Sequence, residues 1–144
     1  MCVRDVLRRK TGQVWTIGPE ATVYRALELM AEKNVGALPV MKDDAVVGMF
    51  SERDYARKVT LLGKSSKVTT VGDLMSQPVI CVEPDTTVEH CMGLMTNRYV
   101  RHLPVLQEGK LVGLVSSGDI LKATIDKQLV LIRDLENFIT GDRS

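Results

Sequence analysis

The chain repeats itself at a constant offset of 65 residues. The segment VGALPV at 35–40 returns as VRHLPV at 100–105, and GMFSERD at 48–54 returns as GLVSSGD at 113–119. Between 14–54 and 79–119 the alignment needs no gap, and 14 of the 41 aligned positions are identical. Two units of this size are each too small to bury a large core, so we expect them to pack together. A binding site in such a chain is expected where the two copies meet.

The order of apolar and polar segments within each copy predicts a strand, a helix, two further strands and a second helix. In the first copy a short apolar run at 14–17 precedes a helical stretch, and apolar runs at 38–41 and 45–50 flank a polar turn. The second copy follows the same order at the 65-residue offset. Two apolar runs joined by a short polar turn are typical of a β-hairpin. The predicted fold is α/β, of the α+β type, built from two pseudo-twofold-related β-α-β-β-α units.

Threonines mark the predicted start of the first helix in each copy. Thr22 and either Thr86 or Thr87 are placed to accept the unpaired amide protons of the first turn, and Thr86 with Glu89 matches a capping box. The apolar residues that follow recur at helical spacing, which predicts a stripe facing the core. These stripes are Val23, Ala26, Leu27 and Met30 in the first copy and Val88, Cys91, Met92 and Met95 in the second.

The composition between the copies and at the end of the chain suggests the domain boundaries. Gly, Ser and Lys residues around 60–70 are typical of a solvated connector. We therefore predict a first unit at 1–63, a linker at 64–72, a second unit at 73–126 and a C-terminal helix extension at 127–144. The extension continues an apolar stripe beyond the end of the repeat, which predicts that the helix contacts a partner, most simply in a homodimer. The stripe comprises Leu121, Ile125, Leu129, Ile132, Leu135 and Ile139.

Charge and composition exclude several functional classes. The 19 Lys and Arg residues nearly balance 18 Asp and Glu residues, so no overall field attracts nucleic acid or an anionic membrane. No apolar run is long enough to span a membrane and no signal peptide is recognisable, which favours a cytoplasmic location. Cys2, Cys81 and Cys91 lack disulfide or metal-site spacing, and no metal is expected. Neither His residue lies in a recognisable catalytic motif and no phosphate-binding Gly-Lys loop occurs, so we expect no enzymatic activity.

The tandem unit, with Leu-Pro-Val before each hairpin and Gly-x-x-Ser-x-x-Asp after it, resembles the cystathionine-β-synthase (CBS) domain pair, also called the Bateman module. The resemblance covers nearly the whole chain, and the stretch at 51–55 is similar to stand-alone prokaryotic members. It implies one CBS pair with two clefts between the copies, which commonly hold adenosine compounds such as AMP, ADP, ATP, NAD(H) or S-adenosylmethionine. No catalytic cofactor is implied, and any regulated partner protein is unidentified.

The residue types in the second copy suit such a ligand. An ionised carboxylate accepts two hydrogen bonds from a ribose diol, and Asp119 stands at a helix start where Ser116 and exposed amides can hold an anion. Arg101 and His102 lie where family members place basic phosphate contacts; strand alternation sends them to opposite faces, which leaves it open whether they serve one cleft or two, and both are assigned to the preferred cleft. The preferred cleft is therefore predicted to contain Lys10, Thr11, Gly12, Val14, Val35, Gly36, Ala37, Arg101, His102, Ser116 and Asp119, with the segment 10–14 assigned by the resemblance.

The pseudo-symmetric cleft is predicted to bind more weakly. Gly36 and Ala37 stand where the second copy has Arg101 and His102, so Arg53 is the remaining candidate for an anion contact there. The residues assigned to this cleft are Ser51, Arg53, Asp54, Pro78, Val79, Tyr99 and Val100.

Structural interpretations of the same residues stay open at the sequence level. Asp54 and Asp119 also suit helix starts stabilised by the helix dipole, and His102 also suits a surface position. Arg8, Arg9 and Lys10 also suit a solvated basic face, because no aromatic residues are interleaved with them. Two functions follow from the sequence: an adenine-nucleotide-sensing regulatory module, or a non-catalytic interaction and dimerisation scaffold with vestigial ligand sites.

Overall fold

The computed structural model describes residues 1–10 and 13–140. Each copy contains one helix and one antiparallel hairpin. A short helix precedes each copy, a short helix follows the first hairpin, and a helix of 24 residues follows the second. In chain order the elements are α1 (Val3–Arg9), α2 (Val23–Lys33), β1 (Ala37–Lys42), β2 (Ala45–Ser51), α3 (Glu52–Asp54) continued by a π-helical segment (Tyr55–Thr60), α4 (Val71–Leu74), α5 (Val88–Arg98), β3 (His102–Gln107), β4 (Lys110–Ser116) and α6 (Ser117–Thr140). The mixed α+β architecture with two hairpins confirms the predicted fold class.

The two hairpins are built alike. In each of them the strand register shifts once, between Val40 and Met41 in the first and between Val105 and Leu106 in the second. The predicted strands at 14–17 and 79–82 are reduced to single parallel bridges, Ile17 to Val40 and Val82 to Val105. These segments run beside the hairpins, but they pair at too few positions to count as strands.

The start of each long helix follows the threonine prediction, with one correction. The Oγ1 of Thr22 accepts the amide of Arg25 at 3.1 Å, and the Oγ1 of Thr87 accepts the amide of His90 at 3.1 Å. Thr87 is therefore the cap of α5, and the capping box predicted for Thr86 is wrong. The Thr86 hydroxyl instead accepts the amide of Glu83 in the preceding turn. Both helices start at equivalent positions of the repeat.

Each copy has its own hydrophobic core. The first is built around α2, β1 and β2, with Val23, Leu38 and Phe50 fully buried, and the second around the equivalent elements of the other copy. The predicted stripes face these cores except at Met92, which is 39% exposed. Leu27 is partly buried and packs against the first core.

The short helices α1 and α4 are exchanged between the copies. Val3 and Val6 of α1 belong to the core of the second copy, whereas Val71 and Leu74 of α4 belong to the core of the first. Backbone hydrogen bonds secure the exchange, because the amide of Val3 donates to the carbonyl of Thr86 at 2.9 Å. The copies are thus tied together by chain segments as well as by side-chain packing.

The last helix extends beyond the cores. α6 contributes only Ile120 and Ala123 as buried residues, both in its first two turns, while the residues from 127 to 140 are exposed. A hydrogen-bonded ion pair joins the end of α1 to α6, with Arg9 Nη1 donating to Asp126 Oδ2 at 3.0 Å. Among residues 1–10 and 13–140, no helix has both the length and the apolar character that a membrane span requires.

Candidate ligand-binding cleft

The repeated Ser-x-x-Asp motif caps the N-terminus of the helix that follows each hairpin. In the first copy the Ser51 amide donates to Asp54 Oδ2 at 3.0 Å, and the Asp54 amide donates to Ser51 Oγ at 3.2 Å. In the second copy the Ser116 amide donates to Asp119 Oδ2 at 2.9 Å, and the Asp119 amide donates to Ser116 Oγ at 3.0 Å. Reciprocal bonds of this kind satisfy the free amides of a helix start. The helix-start interpretation of both aspartates therefore holds in the structure.

The second carboxylate oxygen of Asp54, Oδ1, contacts the segment around Ser76. Ser76 Oγ donates to Asp54 Oδ1 at 2.9 Å, and Lys58 Nζ lies 3.3 Å from the same oxygen. Lys58 also donates to the carbonyl of Leu74 at 3.0 Å. Asp54 is 8% exposed and is the buried charged residue of the described chain. It is held in place by groups from both sides of the junction between the copies.

A cavity with a volume of about 600 Å³ opens beside Asp54. Pockets for small molecules typically measure about 300–1,000 Å³, so a nucleotide fits this size. Both copies line the cavity. Its residues are Gly36, Ala37, Met49, Ser51, Glu52, Arg53, Asp54, Arg57, Lys58, Ser76, Pro78, Val79, Ile80, Tyr99, Val100, Arg101 and His102.

Charged and apolar side chains both line this cavity. Four cationic residues stand against the two carboxylates of Glu52 and Asp54, and Lys58 lies 3.3 Å from Asp54. The apolar part of the lining comprises Pro78, Val79, Ile80 and Val100 with the ring of Tyr99, which is 84% exposed. An anion would be attracted to the cationic part, and a flat apolar group would fit the other. The cationic residues are Arg53, Arg57, Lys58 and Arg101.

The cleft predicted to be preferred is narrower and is divided. Lys10, Val14, Val35 and Ala37 line a cavity of about 140 Å³ that does not include Asp119. Lys10 and Asp119 also border a separate surface cavity of about 500 Å³ beside α6. The predicted preferred cleft is thus divided into two cavities, whereas the cleft beside Asp54 forms one.

Lys10 accounts for much of this difference. Its Nζ donates to Asp119 Oδ2 at 2.9 Å and to the carbonyl of Leu114 at 2.8 Å. Burial, the largest single influence, raises the pKa of Asp119, but the hydrogen bonds from Lys10 and from the Ser116 amide outweigh it and hold the pKa below its ordinary value. The carboxylate assigned to a ribose is thus already paired with an internal cation.

The basic pair assigned to the preferred cleft, Arg101 and His102, lines the cavity beside Asp54, as does Gly36. Burial lowers the pKa of His102; the charge of Asp119 acts in the opposite direction, and Lys10 and Arg101 add to the lowering. The imidazole is therefore neutral near pH 7, where it supplies hydrogen-bonding groups without adding charge.

All seven residues assigned to the weaker cleft line the larger cavity together. Those assigned to the preferred cleft are distributed over several places, and Thr11 and Gly12 lie outside the described residues. Arg57, Lys58 and Ser76 also line the cavity beside Asp54, but they were not predicted from the sequence. A sequence signal existed for two of them, because Arg57 follows Arg53 by four residues and Lys58 follows Asp54 by four, which places each pair on one helix face. The contribution of Ser76 had no such signal.

The cysteines lie apart from this cavity. All three are free thiols, Cys91 is buried in the second core, and Cys81 is half-buried. Burial raises the pKa of both of these thiols, which makes them less reactive. Within residues 1–10 and 13–140, no three His, Cys, Asp or Glu side chains group in a way that suits a metal ion.

Comparison with known proteins agrees with this architecture. The CBS domain family model matches residues 3–60 and again residues 71–126. The CBS domain-containing protein CBSX3, mitochondrial, of Arabidopsis thaliana is 41% identical over 125 residues, which is 83% of this chain and 61% of that protein. The chain thus spans about three fifths of the length of the Arabidopsis relative. The CBS domain-containing protein YhcV of Bacillus subtilis is 36% identical over 118 residues, covering 82% of this chain and 81% of that protein.

A solved structure is also closely similar. A signal-transduction protein with CBS domains from Burkholderia ambifaria superposes with a TM-score of 0.85 at 45% identity, covering 89% of this chain and 96% of that one. The chain therefore belongs to the CBS domain family and contains two tandem CBS domains, the arrangement of a Bateman module. CBS domain pairs are generally regulatory and often bind nucleotides, and stand-alone members are generally not catalytic.

Proposed function

We propose that this chain is a regulatory module that senses an adenine nucleotide in the larger cleft, the one beside Asp54. One observation carries the proposal. A single cavity of about 600 Å³, bounded by both copies, is lined by a buried carboxylate, four cationic side chains and an apolar wall. AMP, ADP, ATP and NAD(H) all present a ribose diol, phosphates and a flat base, and these three features match the three parts of the lining.

The carboxylate of Asp54 is assigned to the ribose. A carboxylate accepts several hydrogen bonds at once, and the bonds from Ser51 and Ser76 hold that of Asp54 in one orientation. Lys58 Nζ lies 3.3 Å from Oδ1 and forms an ion pair with the carboxylate. A positioned carboxylate recognises a diol at a smaller entropic cost than a mobile one would.

The phosphates are assigned to the cationic side of the cleft. Arg53 and Arg57 come from the helix that follows the first hairpin, and Arg101 comes from the second copy. Arginine binds phosphate oxygens in a bidentate manner, and bonds between two charged groups are stronger than neutral ones. A phosphorylated ligand would thus contact both copies through its anionic end.

Regulation follows from contact with both copies. A ligand that bridges Arg53 and Arg101 binds best in one relative orientation of the two units, and it stabilises that orientation by its difference in affinity. The change of shape or assembly that results is the proposed signal. The interaction scaffold remains the second candidate, favoured by the exposed apolar face of α6.

Thermal unfolding with a panel of nucleotides separates these two functions. A ligand present at 100 times its dissociation constant stabilises the protein by about 2.7 kcal/mol, which raises the Tm by several degrees. We expect such a shift with at least one of AMP, ADP, ATP and NAD(H), and a smaller one with GTP, which controls for the base. No shift with any of them at millimolar concentration would contradict the sensor and favour the scaffold.

A further inference from the structure

The exposed apolar stripe of α6 is a surface that ligand binding does not explain. Its six residues are the ones identified in the sequence, from Leu121 to Ile139, and each of them is 45–81% exposed. Leu121 and Ile125 lie beside the buried residues of the helix, and the other four lie in the part that extends beyond the second core. Six large apolar side chains on one helix face are more than isolated surface residues account for.

The stripe follows the spacing of a coiled coil. Ile125, Ile132 and Ile139 recur every seven residues, and Leu121 and Leu135 occupy the intervening positions with Gln128 between them. Isoleucine at the first core position and leucine at the second favour the pairing of two helices, and one polar residue in such a core fixes the register. The identity of the residues thus indicates a second helix of the same kind.

The charges of α6 argue against other partners. Lys122, Lys127 and Arg133 are offset by four carboxylates, so the helix carries no cationic face that would attract a membrane or a nucleic acid. The carboxylates are Asp119, Asp126, Asp134 and Glu136. A near-neutral helix with an apolar stripe fits another helix of the same composition without charge repulsion.

The area of the stripe is sufficient for a specific dimer. At about 25 cal/mol per Å², the 1.5–3 kcal/mol gained by burying one such side chain corresponds to roughly 60–120 Å². Six side chains on each of two copies then bury roughly 700–1,400 Å² in total, which reaches the approximately 1,000 Å² needed for a biological interface. A twofold contact uses the same patch on both copies, so a second copy covers the stripe completely.

We propose that α6 is a dimerisation helix that pairs with α6 of a second copy through this stripe. The ion pair between Arg9 and Asp126 joins α6 to α1. None of the six stripe residues lines the cavity beside Asp54. This inference does not depend on the identity of the ligand, nor on whether one binds.

Sedimentation equilibrium of the full chain tests the inference with two matched variants. The wild-type chain should sediment at twice its 15.9 kDa mass. The double variant Ile132→Asp/Leu135→Asp should sediment as a monomer. Val130→Asp introduces the same charge at a residue that is 55% exposed but lies outside the stripe, so it should stay dimeric.

A second double variant distinguishes loss of the helix contact from loss of folding. Ile132→Gln/Leu135→Gln keeps helix-forming residues and removes only the apolar contact, and it should also be monomeric. The fluorescence of Trp15, which packs against the first core, reports that the modules remain folded. A monomeric wild-type chain would overturn the inference, as would a folded double variant that remains dimeric.

Discussion

Replacing Val6 by aspartate should lower the free energy of unfolding by about 3–5 kcal/mol, the range found when a charge is left uncompensated in a core. Val6 is 2% exposed and packs in the core of the second copy, although it precedes the first copy in the chain. The substitution places a carboxylate among apolar side chains that offer it no partner. Urea unfolding followed by circular dichroism measures the loss.

The control for this variant lies on the same helix. Arg8→Gln changes an exposed residue of α1, and it should alter the free energy of unfolding by no more than about 0.5 kcal/mol. If Val6→Asp were as stable as Arg8→Gln, α1 would not be part of the second core. The exchange of short helices between the copies would then be wrong.

Replacing Arg101 by alanine should weaken the binding of a phosphorylated nucleotide by about 1.5–3 kcal/mol, tenfold or more, because a hydrogen bond to a charged group is lost. Binding of unphosphorylated adenosine should hardly change, since Arg101 is assigned to the phosphates. Titration calorimetry with AMP and with adenosine gives both affinities on the same protein.

A matched arginine outside the cavity serves as the control for Arg101. Arg98 ends α5, is exposed and does not line the cleft, so Arg98→Ala should leave both affinities unchanged. Equal losses for AMP and adenosine in the Arg101 variant would show that this side chain positions the cleft and does not contact the phosphate.

The features predictable from the sequence are those that local chemistry determines. The hairpins follow from two apolar runs and a polar turn, and the start of α2 follows from the Thr22 hydroxyl. The aspartates of the repeated motif were placed correctly at helix starts for the same reason. In each case the signal and its partner are separated by only a few residues.

The features that escaped prediction depend on contacts between distant segments. Repeat alignment assigns Val3 and Val6 to the first unit, but they pack in the core of the second. The pairing of Lys10 with Asp119 joins residues 109 positions apart, and it gives Asp119 an internal cationic partner, as Lys58 does for Asp54. Ser76 contacts Asp54 because the backbone at Ser76 pairs with Met49 of the first hairpin. No local pattern indicates such approaches.

Titration calorimetry on two symmetry-related variants tests the central claim, that the nucleotide binds beside Asp54. Asp54→Asn and Asp119→Asn make the same change in the two copies of one motif, with AMP and ATP as the probes. We expect one site per chain, an affinity reduced about tenfold or more by Asp54→Asn, and little effect of Asp119→Asn. Loss of binding in Asp119→Asn with Asp54→Asn unaffected would contradict the account.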